Sequence, residues 1–173
     1  MGDQPAVRAL GDADRPWVRD LLVDTMAGPT LLRRGELVDA GVLDGFVAEL
    51  GGERVGAALV DVRDDECELV FLASAVEGAG VARALLDAVV DHARSAGCRR
   101  AWLVTTNHNV RALALYQRNG WDLRRLHRGA VTAARHLKPQ LPESIDGIPL
   151  RHELELELVL DDDRTVTRHG RLR

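Results

Sequence analysis

Apolar and polar positions divide this chain into short segments whose spacing predicts a mixed α/β fold. Cys67–Ala73 is a β-branched and aromatic run entered from the turn-like Arg63-Asp64-Asp65, and it reads as a buried strand. A Gly-Ala-Gly turn follows at Gly78–Gly80. Beyond it, apolar pairs at Val81/Ala82, Leu85/Leu86 and Val89/Val90, with Ala93, repeat every four residues and predict one buried helical stripe over Val81–Ser95. Gly97 stops that helix, and Ala101–Thr105 supplies the next strand. Strand, helix and strand in succession imply a right-handed parallel crossover.

The flanking segments are simpler. Ala6–Leu10 predicts an edge strand. Gly11–Asp14 and Pro16 predict the start of a helix carrying Trp17, Val18, Leu21, Leu22 and Met26 on one face. Thr25–Gly45 reads as loop-rich, with a short helical piece over Leu31–Val38. Phe46–Leu50, the Gly51-Gly52 turn and Val55–Val62 predict an antiparallel meander leading into Cys67–Ala73. Asn107-His108-Asn109 precedes a helix over Val110–Asn119, and Trp121–His127 predicts a strand. Arg128–Pro149 reads as a long connection with a basic patch at Arg135, His136 and Lys138. Leu150–Leu160 alternates strictly, predicting a strand with one apolar face and one face of Glu153, Glu155 and Glu157. That acidic face has two readings: it attracts a cationic acceptor such as a polyamine or basic peptide, or it is a solvent face that discourages edge pairing. Residues 1–160 therefore predict a single domain, with 129–149 as its long loop and 161–173 as a tail with little to bury.

Composition narrows the function. With 173 residues, 46% hydrophobic and 29% charged, the chain is long enough to bury a real core. A net charge of −4 with no basic stripe argues against nucleic acid. No apolar run reaches membrane-spanning length and no signal-peptide core opens the sequence, so a cytoplasmic location is expected. Cys67 and Cys98 form no CxxC pair and read as reduced thiols. His92 reads as solvent-facing, and the scattered histidines form no metal-binding motif.

The glycine turn carries the candidate chemistry. It delivers a strand into a helix N-terminus, where free N–H groups and the helix dipole suit a phosphate or diphosphate. No Lys-Ser/Thr follows the glycines, and the spacing lacks the six-residue dinucleotide pattern, so both of those nucleotide fingerprints are excluded. Asn109, Ala112 and Tyr116 fall at i, i+3 and i+7, on one helix face across about 10 Å of axis.

In these two motifs, Glu77-Gly-Ala-Gly80-Val-Ala82 and Asn109…Ala112…Tyr116…Gly120-Trp121, the chain resembles the GNAT superfamily of acyl-CoA-dependent N-acyltransferases. The resemblance implies a largely antiparallel sheet of about six to seven strands and about four helices, with a V-shaped splay between the two parallel central strands. It implies acetyl-CoA as co-substrate, with no metal, and direct transfer in a ternary complex to a small-molecule or peptide amine. Backbone near Val70 and Leu72 would pair with the pantetheine amides. Amides of Gly78, Ala79, Gly80, Val81, Ala82 and Arg83 would hold the diphosphate, and Asn109, Ala112 and Tyr116 would flank the arm. Tyr116, the sole tyrosine, is the implied general acid, acting by hydrogen bonding or through a lowered pKa, and Glu68 or water is the base. His108 is a weaker base candidate, expected instead to help cap the following helix. A homodimer through the last hairpin fits the same pattern. Glu77 departs from the family's Arg or Gln, and no cation replaces it at that position, Arg83 in the first turn of the helix being a partial compensation. Glu77 and the lack of a decisive base support the rival reading, a non-catalytic acyl-CoA-binding or regulatory module. A third reading is an interaction domain that uses the Leu-rich closing strand.

Overall fold

The structure is a computed structural model that describes residues 4–26, 28–33 and 35–160. The tail expected over 161–173 lies outside the described residues. The elements in chain order are β1 (Ala6–Ala9), α1 (Arg15–Met26), β2 (Thr30–Arg33), β3 (Glu36–Asp39), β4 (Asp44–Leu50), β5 (Glu53–Arg63) and β6 (Glu66–Ser74). There follow α2 (Val81–Ser95), β7 (Arg100–Thr106), α3 (Val110–Arg118), β8 (Asp122–His127), α4 (Ala130–Ala134), β9 (Ser144–Ile145), β10 (Ile148–Pro149) and β11 (Glu153–Val159). Seven strands form one sheet in the order β1-β4-β5-β6-β7-β11-β8. Every pairing in it is antiparallel except β6 with β7.

The apolar stripe of α2 covers one face of the sheet. Val81, Leu85, Leu86, Val89 and Ala93 are buried there with Cys67, Leu69, Leu103 and Leu156. On the opposite face, Val18 and Leu22 of α1 pack on Ala57, Leu59 and Phe71. The entry to α1 is pinned by Asp14, which accepts from Gly11 N at 2.9 Å, from Arg8 and from Arg54 Nε at 2.8 Å. The Arg8 guanidinium holds this carboxyl well below the usual carboxylate range, so one buried charge joins β1, α1 and β5.

Four expectations are corrected. The segment expected as a helical piece over Leu31–Val38 is the β2–β3 hairpin, because Leu31 is buried against α1 and β3 pairs it residue for residue. The acidic face of β11 neither meets solvent at a sheet edge nor presents three carboxylates to an acceptor, because β11 lies inside the sheet between β7 and β8. Glu155 is 3% exposed and meets Arg100 Nη1 at 3.1 Å, Arg124 Nε at 3.4 Å and His127 Nε2 at 3.0 Å. Glu157 is held by the same two arginines. The basic patch expected in the 128–149 connection turns partly inward: Arg135 donates to Pro142 O and Leu150 O, both at 3.0 Å, and Lys138 is buried. His92 is half-buried and packs edge-on against Phe46, with ring centroids 5.6 Å apart.

Candidate active site

The site begins where two strands part. β6 and β7 pair from Glu66–Arg100 to Leu69–Leu103, yet β6 runs on to Ser74 and β7 to Thr106. On its other side β6 stays paired with β5, but Leu59 faces Phe71 while Val60 faces Leu69. Val70 is therefore an extra, bulged residue at the vertex of the split. A bulge bends its strand and strengthens its twist, which opens the gap beyond Leu69. It also resets the alternation: Leu69 belongs to the core under α2, whereas both Val70 and Phe71 turn towards α1.

A cleft of about 850 Å³ occupies the gap. One wall is β6 from Val70 to Ser74, including Leu72, and the other comprises Val104, Thr105 and the face of α3 bearing Asn109, Ala112 and Tyr116. The turn into α2 closes the outer end with Gly78, Gly80, Val81, Ala82 and Arg83. Gly78 and Gly80 have φ of +77° and +75°, conformations costly for residues with a Cβ, and no atom stands within 4 Å of where that Cβ would be. The turn therefore offers backbone rather than side chain to whatever the cleft admits. Ala79, named in the sequence motif, is not part of the lining, and its methyl packs against the core. The residues present fit a phosphate-bearing arm.

Tyr116 is 8% exposed, with its ring 6.1 Å from that of Trp121. Burial pushes its pKa up to about 12. Asn109 is the N-cap of α3, its side-chain oxygen accepting from Ala112 N at 3.2 Å, so part of its polar capacity is spent on the helix. His108, expected to help with that cap, instead has Nδ1 2.8 Å from Thr106 Oγ1. Asn107 ties the end of β7 to the last connection, donating to Pro149 O at 2.9 Å and accepting from His152 N at 2.9 Å.

Glu77 proves to have a cation after all. Arg111, 34 residues later, reaches across the cleft mouth and donates to its carboxylate at 2.5 Å. Local sequence could not reveal this partner, because the fold alone brings the start of α3 beside the glycine turn. Arg83 and Arg118 line the same cleft.

A second cavity, of about 550 Å³, opens on the α1 side. It shares Met26, Val70, Val104, Thr105 and Asn109 with the first, so the two meet at the bulge. Glu68, 3% exposed, lines it together with Glu153, Lys138 and His108. Of these, the sequence singles out Glu68 and His108 as base candidates. It leaves Glu153 among three equivalent glutamates and Lys138 in a surface patch, for want of any local signal. Burial lowers the pKa of His108, leaving the ring neutral at pH 7. Cys67 and Cys98 are buried free thiols, and desolvation pushes Cys67 up to about 12, which suits packing rather than attack. Among the described residues, no group of three or more His, Cys, Asp or Glu is placed to hold a metal ion, and no helix is long and apolar enough to cross a membrane.

Comparison with known proteins gives a consistent result. Residues 17–121 match the model of the acetyltransferase (GNAT) family. An uncharacterized protein of Bacillus subtilis, YdhI, is 40% identical over 121 residues, covering 69% of this chain and 76% of that protein. A GNAT family acetyltransferase from Elizabethkingia anophelis, solved with acetyl-CoA bound, superposes with a TM-score of 0.66 at 17% identity, covering 91% of this chain and 99% of that one. A Bacillus subtilis acetyltransferase in complex with CoA gives a TM-score of 0.62 at 16% identity, covering 91% and 99%.

Proposed function

The chain belongs to the acetyltransferase (GNAT) family, and from that premise we propose which of its residues carry acetyl transfer from acetyl-CoA to an amine. The observation that supports the assignment is the end of β6–β7 pairing at Leu69–Leu103, with a cavity on either side of the opening. The larger cleft takes the pantetheine arm, which pairs with the backbone of β6 near Val70 and Leu72 as an added strand would. Amides of the Gly78–Arg83 turn hold the diphosphate at the N-terminus of α2. Asn109, Ala112 and Tyr116 flank the arm, the small Ala112 allowing close approach. The smaller cavity takes the acceptor.

Transfer is direct, in a ternary complex. Glu68, alone or through a water, receives the proton that the ammonium must lose. The amine nitrogen then bonds to the thioester carbonyl carbon, the C–S bond breaks, and its electron pair stays on sulfur. A phenol at about 12 is too weak an acid to give up its proton early, so Tyr116 acts as a hydrogen-bond donor to the developing thiolate. This supports the hydrogen-bond form of the role over a lowered pKa. Bond formation leaves the nitrogen cationic, and it sheds its second proton to water as the adduct collapses. The thiolate takes a proton from water on leaving, the phenol keeping its own, so the proton received by Glu68 is the one that reaches solvent in each turnover. Measuring thiol release from acetyl-CoA across an amine panel tests the assignment.

The alternative of a non-catalytic module rests on Glu77 and on the lack of a decisive base, and Arg111 weakens the first of these grounds. We expect Glu77→Gln to release Arg111 towards the diphosphate and tighten CoA binding by about two- to five-fold. Arg111→Ala should weaken it by a similar factor, and both effects should shrink in high salt. Calorimetry with CoA at two ionic strengths checks this. Equal affinities for all three proteins would show that neither side chain acts on the diphosphate. Residues 1–160 act as one domain in this reading. Two buried free thiols support a cytoplasmic location. The exposed Leu123 and Leu126 on the edge strand β8 support a homodimer.

A further inference from the structure

We propose that the acceptor is a small primary amine with an apolar body and no carboxylate of its own. The proposal rests on the transferase reading above. The acceptor cavity has two unlike components. Its walls are apolar, built from Met26, Leu31, Leu32, Val131, Leu141 and Ile145. Set into those walls are the carboxyl groups of Glu68 and Glu153, both 3% exposed. A buried carboxylate is a strong partner for an ammonium, through charge-assisted hydrogen bonds in a poorly hydrated site.

The remaining charges sharpen the choice. Asp24, Glu68 and Glu153 line the cavity against one cation, Lys138, a formal balance of −2. Lys138 is committed elsewhere: its Nζ donates to Met26 O and Thr30 O, both at 3.1 Å, fastening the 128–149 connection to the end of α1 and the start of β2. His108 stays neutral. A single ammonium offsets part of the negative balance. A carboxylate beside that ammonium would face Glu68 and Glu153 with no cation to receive it, and further ammonium groups along the body would be stranded against Leu and Val. The cavity, at about 550 Å³, is of a size for small ligands and is roofed by the 128–149 connection.

The test compares four acceptors on the wild-type protein: 2-phenylethylamine, phenylalanine, spermidine and the peptide Phe-Ala-Ala. Thiol release gives kcat/KM, and calorimetry on the CoA-loaded protein gives amine binding. We expect 2-phenylethylamine to lead, with phenylalanine and spermidine lower by about a hundredfold. Glu153→Gln should raise KM for 2-phenylethylamine about tenfold with kcat nearly unchanged, and Glu153→Asp should recover part of it. Unchanged CoA affinity and melting temperature would show that both variants are folded. Comparable turnover of phenylalanine or spermidine, preference for the peptide, or failure of all four to bind a protein that binds CoA would each overturn the proposal. Failure to bind CoA at all would instead remove the transferase assignment on which it stands.

Discussion

Replacing Tyr116 by Phe should lower kcat by about 10²- to 10³-fold while changing the Kd for CoA by less than about twofold. The ring is buried beside Trp121, and Phe keeps that packing, so the loss reports the hydroxyl alone. The hydroxyl matters only once sulfur carries charge, which is why the cost falls on kcat and not on binding. The pH dependence carries a sign. Because burial moves the phenol from 10 to about 12, the donor stays protonated through the whole range in which an amine is assayed. Wild-type activity should therefore show no alkaline fall from Tyr116 below about pH 11, whereas a phenol of lowered pKa would lose its donor near neutrality. Thiol-release kinetics from pH 6 to 10, with calorimetry on both proteins, read both quantities. A Tyr116→Phe protein with full turnover would make this residue a packing group.

The second large effect is expected at Glu68. Glu68→Gln preserves shape and removes the charge, and should lower kcat/KM by about 10²-fold near pH 7. The deficit should narrow as pH rises towards the ordinary pKa of an aliphatic amine, about 10, because solvent then delivers the acceptor already deprotonated. Glu68 sits on β6 one residue before the end of the β7 pairing, with Asp61 opposite it on β5 and Trp102 opposite it on β7. This placement keeps it on regular sheet rather than loop. His108 offers the control. Neutral and lining the same cavity, it should cost less than about threefold when changed to Gln, because its Nδ1 is engaged with Thr106. A larger loss at His108 than at Glu68, or a Glu68→Gln deficit that does not depend on pH, would reassign the base.

Much of this was legible in the chain, for identifiable reasons. The α2 boundaries follow from local facts: positive-φ glycines at 80 and 97 bracket an apolar repeat that needs no outside partner to be recognised. The Asn109, Ala112 and Tyr116 face follows from helix period alone. The bulge at Val70 lies in a run of uniformly apolar residues, where a one-residue reset of alternation leaves no trace. The β2–β3 hairpin has strands of four residues each, too short for a periodic signal, and its burial depends on α1. The two faces of β11 were correctly separated. That the charged face is buried as well depends on Arg100 and Arg124, 55 and 31 residues away in sequence from Glu155. Charge partners of this kind, like Arg111 for Glu77 and the backbone carbonyls for Lys138, exist only in the folded chain.

A crystal structure of the CoA complex tests the central claim most directly. The account predicts the thiol-bearing arm between β6 beyond Leu69 and β7 beyond Leu103, the sulfur beside the Tyr116 hydroxyl, and the diphosphate on backbone amides between Gly78 and Arg83. Strands paired past Leu69–Leu103 with the nucleotide bound elsewhere, or a diphosphate resting only on surface arginines, would contradict it.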